Sequence, residues 1–191
     1  MIKKTHRASR GCIGMSPIQI GTFVVLTLLA VVASVHSWRT KQAYGFFRFL
    51  AFETLAILIV WNVDRWFHDP YSIPQIISWT LFVVVTVLAI HGVHLLRVVG
   101  RSESRIMEDT QSVVEVGAYR YIRHPLYSSL VLFGWGVFLK GLDIPSAALA
   151  LASTAFFVAT ARYEEKFNIE HFGPAYSDYM KRSKMFIPFL F

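Results

Sequence analysis

The sequence predicts an all-α, polytopic membrane bundle of about five transmembrane helices, with a cytoplasmic site built by a loop and the C-terminal tail. Three observations carry this reading. Apolar residues make up 54% of the chain and charged ones only 16%. The apolar residues are gathered into runs, several of them near the ~20 residues that cross ~30 Å of hydrocarbon as a helix. The densest polar cluster, Gly117 to Tyr127, lies directly against the start of one such run, where ionisable groups are costly unless they bind or react with something.

The first apolar segment runs from about Ile18 to Val35. Its length and the lack of an Ala-x-Ala site after it mark a retained span rather than a cleaved signal. A second covers about Phe46 to Val63 and a third about Ile73 to Leu96. Segment four, Leu126 to Leu139, is short for an independent span. Segment five runs from about Ile144 to Ala161, and the turn chemistry of Lys140 to Pro145 joins it to segment four as a helical hairpin. Residues 1–112 thus read as a three-helix membrane anchor with a polar linker, and residues 113–191 as the catalytic region. From Glu170 the tail reads as an amphipathic helix with aromatic anchors, broken before Pro188.

The net charge of +7 is distributed between and beside the apolar runs. That placement fits juxtamembrane topology signals and anionic headgroups, and no basic helix or nucleic-acid motif accompanies it. The larger share of Lys and Arg, including Arg97, Arg101, Arg120, Arg123, Lys181 and Lys184, falls on the side of the linker and the tail. The positive-inside rule puts that side in the cytoplasm, although the basic N-terminal tail (Lys3, Lys4, Arg7, Arg10) argues the other way. A single cysteine, Cys12, excludes an intrachain disulfide framework and a multi-cysteine zinc site.

Gly117 to Tyr127 contains Arg120, Arg123, His124 and three tyrosines in eleven residues. Pro125 suits the first turn of a helix. Arg123 and His124 then fall at that helix's N-terminus, where the dipole favours an anionic ligand group. A second cluster, Arg162-Tyr-Glu164-Glu165, emerges from segment five. Two adjacent carboxylates at a membrane boundary can bind a hydroxyl or amine or act as a base; an ordinary helix end entering water is the bland reading.

Taken together, Gly117-x-Tyr119, Arg123-His124-Pro125-x-Tyr127, Glu164-Glu165, Phe172-Gly173, Tyr176, Tyr179 and Phe186-x-Pro188 resemble the small integral-membrane methyltransferases. That family includes isoprenylcysteine carboxyl methyltransferases and phospholipid N-methyltransferases. The resemblance covers about Val113 to the C-terminus. It implies S-adenosylmethionine as cofactor, held by Gly117, Tyr119, Arg123, His124, Pro125, Tyr127 and Glu164, with Glu165 and Arg162 acting at the nucleophile. The chemistry of these residues agrees. Arg123, His124 or helix N-terminal amides suit an α-carboxylate. Glu164 suits an amine or ribose hydroxyls, and an aromatic or apolar wall near Tyr127 suits adenine. The acceptor implied is an amphiphilic or lipid-borne amine, thiol or carboxylate. In the isoprenylcysteine enzymes an arginine stands five residues before the second glutamate; here that position is Thr160, and the nearest arginine is Arg162. A shift of two residues turns a side chain by ~200° around a helix, so the departure weighs against methyl-ester chemistry. Membrane sterol reductases share an Arg-His-Pro-x-Tyr element, which makes a nicotinamide-dependent reductase the alternative enzyme. A non-enzymatic membrane protein is the third reading.

Other polar residues admit two roles each. His91 and His94 share one helix face. With His124 they have the makings of a three-histidine metal site, but as interfacial histidines they need no metal, and none is assigned. Arg48 and Glu53 interrupt segment two; Glu53 is a functional candidate by position, or a partner for Arg48 or for a Ser or Thr across helices. Trp38, Trp61, Trp66 and Trp79 suit interfacial anchoring. Gly134-Trp-Gly136 suits close helix packing.

Overall fold

A computed structural model of the protein describes residues 15–39, 43–101 and 111–190. Cys12 and the basic N-terminal residues lie outside the described residues, as does the side chain of Trp38. Among the described residues the structure is all-helical: α1 (Pro17–Arg39), α2 (Ala43–Asn62), α3 (Ile73–Val98), α4 (Pro125–Phe138), α5 (Ile144–Phe172) and α6 (Pro174–Arg182). Spans within α1 and α3, α2 with the turn after it, and α5 are long and apolar enough to cross a membrane, with mean hydropathies between 1.7 and 2.3. The chain is a multi-pass membrane protein. Val24, Leu28 and Val32 of α1 and Val83, Val87 and Ile90 of α3 are exposed, as suits a surface solvated by lipid tails.

Segment four of the sequence is α4, which has 14 residues, or about 21 Å of helix. It falls short of the bilayer core and is packed among α2, α3 and α5. Its glycines permit this. A Cβ on Gly136 would stand 2.6 Å from the Phe82 ring of α3, and Ser78 Oγ donates to the Gly136 carbonyl at 2.7 Å. The core centres on Ala51, Leu55 and Leu58 of α2, Tyr127 and Val137 of α4, and Phe157 and Ala161 of α5.

At one end of the bundle a polar clasp ties the helix termini. Asp143 caps α5 by accepting from Ser146 N–H at 2.8 Å and pairs with Arg65 in the turn after α2. Buried Asn62 donates to Ser146 Oγ at 2.9 Å. Lys140 donates to Gln75 at 2.7 Å, its ammonium 3.7 Å above the Trp79 ring. Trp61 and Trp79 therefore do more than anchor the interface, since Trp61 donates to Asp143 at 3.2 Å.

The other end carries the loops. Helix α5 continues to Phe172, 29 residues in all, well past the Ala161 boundary read from hydropathy. At about 43 Å it outgrows the hydrocarbon core, so Glu164 and Glu165 ride on a helix that projects beyond it. The tail also differs from expectation. Its helix stops at Arg182, before the break anticipated at Pro188, where Ser183 turns to an extended conformation (φ −120°, ψ 158°) and its Oγ donates to the Tyr179 carbonyl at 2.8 Å. Beyond Ser183 the chain runs beside the motif loop, forming a parallel bridge between Ile122 and Lys184.

Candidate active site

The loop and the tail are joined by backbone. Lys184 N–H donates to Tyr121 O at 2.9 Å, Arg123 N–H to Lys184 O at 2.7 Å and His124 N–H to Met185 O at 3.2 Å. Ser128 Oγ adds a 2.9 Å bond to Phe186 O, and Tyr179 Oη donates to Tyr119 O at 2.6 Å. Each bond satisfies a backbone polar group of an irregular segment. Together they hold Arg123 and His124 at the entry to α4, where Pro125 opens the helix and His124 precedes it.

Side chains converge there on the α5 glutamates. Arg123 Nε donates to Glu165 Oε1 at 2.6 Å, and His124 Nε2 lies 3.3 Å from the same oxygen. The Arg123 side chain also donates to the Ser183 carbonyl. Glu165 is 5% exposed and His124 4%, so the ion cluster is shielded from solvent. A second pair stands beside it: Tyr127 Oη, fully buried, donates to Glu164 Oε2 at 2.7 Å. The His124 and Tyr127 rings stack with centroids 5.6 Å apart. Arg48 of α2 lies near enough to the Tyr127 hydroxyl to interact with it.

A cleft of about 70 Å³ opens over this cluster. Tyr119, Arg123, His124 and Glu164 line it, with Asn168, Phe172, Tyr176 and Tyr179. Burial, reinforced for Tyr119 and Tyr176 by the Glu164 carboxylate, pushes the phenols of Tyr119, Tyr176 and Tyr179 well above their usual value. All three remain protonated near neutrality.

Of the residues singled out from sequence, Tyr119, Arg123, His124 and Glu164 line the cleft, Tyr127 and Glu165 bond to its wall, and Pro125 shapes it. Arg162 is exposed on α5 and the structure does not bring it to the cluster. Gly117 is also outside the lining. It has φ +58°, and a Cβ there would lie 2.5 Å from His91 Nε2; Ala118 N–H points to that nitrogen at 3.4 Å. His91 thus packs beneath the loop, while among the described residues no three His, Cys, Asp or Glu side chains gather as a metal site. Glu53 accepts from Thr27 across the α1–α2 seam at 3.2 Å. Asn168 and His171 carried no motif; their signal was only a helical spacing of four and seven from Glu164.

The fold and site define a multi-pass helical membrane protein with an acid–base cluster where a loop and the tail meet. The sequence model of the phospholipid methyltransferase family matches residues 73–175, more than half of the chain, and the protein belongs to that family. It is 34% identical over 73 residues to methanethiol S-methyltransferase 2 of Bradyrhizobium diazoefficiens, covering 38% of this chain and 27% of that one. A probable protein-S-isoprenylcysteine O-methyltransferase of Oryza sativa subsp. indica is 30% identical over 96 residues, 48% of this chain and 50% of the relative. The methanethiol S-methyltransferase of Crocosphaera subtropica is 23% identical over 182 residues, 91% of this chain and 62% of the relative. The chain therefore spans between about a quarter and about three fifths of the length of these relatives.

Proposed function

We propose that the protein is a membrane methyltransferase that moves a methyl group from S-adenosylmethionine to an amphiphilic or lipid-borne acceptor. The observation that carries the reading is the shielded Arg123–Glu165–His124 cluster beside the Tyr127–Glu164 pair, on one wall of a cleft with aromatic sides. The cleft's chemistry suits this cofactor. Glu164 offers a carboxylate to an ammonium or to ribose hydroxyls, Arg123 and His124 face a carboxylate, and Phe172 and Tyr176 offer an apolar wall to adenine. Its volume lies below the ~300–1,000 Å³ usual for small-molecule sites, so binding has to part the tail from the α5 wall. When bound, the cofactor supplies a methyl group on a cationic sulfonium.

The chain's own residues hold the acceptor and exclude water. In-line transfer needs a nucleophile held ~3–3.5 Å from the methyl carbon. Glu165 is the group placed to orient that nucleophile or take its proton, once Arg123 and His124 yield part of their hold on it. The names of the relatives span S- and O-methylation, and Thr160 leaves the α5 face without the arginine associated with a carboxylate acceptor. A thiol or amine on an amphiphile fits this chain as well as a carboxylate does.

Calorimetry with S-adenosylmethionine on protein in nanodiscs tests the first step, and absence of binding ends the reading. Radiolabelled transfer into a total lipid and thiol extract then identifies the acceptor. We place the cleft on the cytoplasmic side; in a Cys12→Ser background, Lys181→Cys at an exposed position should react with an impermeant maleimide from that side alone. Family membership lends nothing to the nicotinamide-reductase and non-enzymatic readings.

A further inference from the structure

Beyond its backbone pairing with the loop, the tail ends in a turn that the cleft does not use. Leu190 N–H donates to Ile187 O at 3.2 Å, and Ile187, Phe189 and Leu190 are 50%, 80% and 79% exposed. Phe189 holds φ +67°, a region costly for a bulky side chain. Its ring meets that of Tyr121, in the motif loop, with centroids 5.9 Å apart. Two cations flank this apolar tip. The Arg120 guanidinium lies 5.9 Å from the centre of the Tyr121 ring, and Lys184 is bridged to Ile122. Both are exposed, and neither forms an ion pair among the described residues. The nearby cations of α6 differ, since Lys181 pairs with Asp178 and Arg182 with Glu115.

We propose that this patch docks on acidic headgroups of the bilayer beside the bundle, and that docking holds the tail against the motif loop. The bonds from Arg123 and His124 N–H to Lys184 and Met185 O pin the tail immediately before α4, where the chain enters the apolar bundle. Headgroups therefore lie alongside it. Exposed aliphatic and aromatic side chains with Lys or Arg beside them make an interfacial anchor. Cations without a protein partner at this depth attract lipid phosphates within a Debye length. An acidic lipid thus offers charge to Arg120 and Lys184 and hydrocarbon to Phe189 and Leu190. The consequence reaches the cleft through the same strand. Cofactor binding has to part the tail from α5, and lipid keeps the tail on the loop while it does. That last step rests on the methyl-transfer reading; the docking itself does not.

The test uses full-length protein in phosphatidylcholine nanodiscs with and without phosphatidylglycerol, whose headgroup is acidic and has no amine to methylate. Each lipid is supplied in turn as a probe carrying a diazirine close to its headgroup. The acidic probe should label residues 120–121 and 184–190 at least fivefold more than the neutral one. Arg120→Gln combined with Lys184→Gln should bring the two probes level, whereas Lys181→Gln, at a cation already paired, should leave the difference intact. Equal labelling of the unaltered protein, or a preference that survives the combined change, overturns the proposal. If the combined variant fails to fold, added salt should remove the preference by screening, and a preference indifferent to salt overturns it as well. Calorimetry with S-adenosylmethionine on the same discs reads the cleft. Affinity should be at least threefold higher with phosphatidylglycerol, and the combined variant should lose that gain. Equal affinity, or a gain that persists in the variant, overturns the coupling. No cofactor binding in either disc with labelling intact sinks the methyl-transfer reading and leaves the docking, whereas cofactor binding with equal labelling sinks the docking alone.

Discussion

Glu165 illustrates how one side chain serves both folding and chemistry. It is buried against Arg123, at 2.6 Å, and His124, at 3.3 Å. Removing one member of a buried ion pair leaves an uncompensated charge, at a cost of roughly 3–5 kcal/mol. Glu165→Ala should therefore lower the thermal midpoint by many degrees in detergent and abolish transfer. Glu165→Gln keeps the shape and one hydrogen bond but still leaves Arg123 without its counter-charge, so it should cost less stability than Glu165→Ala while also losing transfer; equal loss of both in the two variants would assign Glu165 a structural role only. Gly117 makes a different case, with a positive φ and no room for a Cβ. Gly117→Ala should cost about 1–2 kcal/mol from backbone conformation alone, and more from the clash with His91. Adding His91→Ala should recover part of that loss in a double-mutant cycle. If the second change recovers nothing, His91 is not what constrains the loop. The sequence marked Gly117 as important, but it offered no sign that the constraint comes from α3 beneath the loop rather than from the cofactor.

Helix ends were the hardest elements to read in advance, for identifiable reasons. Hydropathy located all five segments, because apolar runs follow directly from the thickness of hydrocarbon. It ended the last one at Ala161, because Arg162, Glu164 and Glu165 look like water when α5 in fact continues for three more turns. The tail helix ends at Ser183 through a local side-chain bond, a signal too weak to outrank Pro188 in a bare sequence. The start of α5 is better determined. Asp143 is the cap, and its carboxyl carries two opposing influences. Burial would raise its pKa, but hydrogen bonds from Arg65, Ser146 and Trp61 outweigh that and hold it below its ordinary value of 3.8. A carboxylate lowered in the folded state adds stability above the unfolded value and loses it as pH falls through the folded one. Loss of the cap costs about 1 kcal/mol, and the half-exposed pair with Arg65 is worth about 0–1 kcal/mol. Asp143→Ala should thus destabilise by about 1–2 kcal/mol, and Asp143→Asn, which still caps, by less. The gap between the unaltered protein and Asp143→Asn should narrow progressively in denaturation curves as pH falls from about 4 toward the lower folded value. A gap that does not change with pH in that range would show that charge contributes nothing at this end.

At the scale of the whole molecule, the site exists only because distant parts of the chain meet. The loop and the α5 glutamates were visible in the sequence as separate polar clusters, and their order resembled a family whose members bring them together. The contribution of α2 was not visible. Arg48 lies in an apolar segment, and nothing in its spacing indicates contact with Tyr127, 79 residues later. The role of the tail was half visible, since its aromatic residues stood out while the backbone pairing of Lys184 and Met185 with the loop left no trace in side-chain identity. That pairing yields the sharpest test of the assembly. Ending the chain after Arg182 removes the acceptors for the Arg123 and His124 amides, the Ser183 carbonyl that fixes the Arg123 guanidinium, and the Phe186 carbonyl bound by Ser128. None of these bonds supports α1, α2, α3 or α5, so far-UV dichroism should show nearly the full helical content of the unaltered protein. Arg123, no longer fixed, is free to leave Glu165, and the cleft loses its shape. Calorimetry should then show S-adenosylmethionine affinity reduced at least a hundredfold, about 2.7 kcal/mol. Near-normal affinity in the shortened chain would mean that α4 and α5 organise the loop unaided and that the tail only covers it.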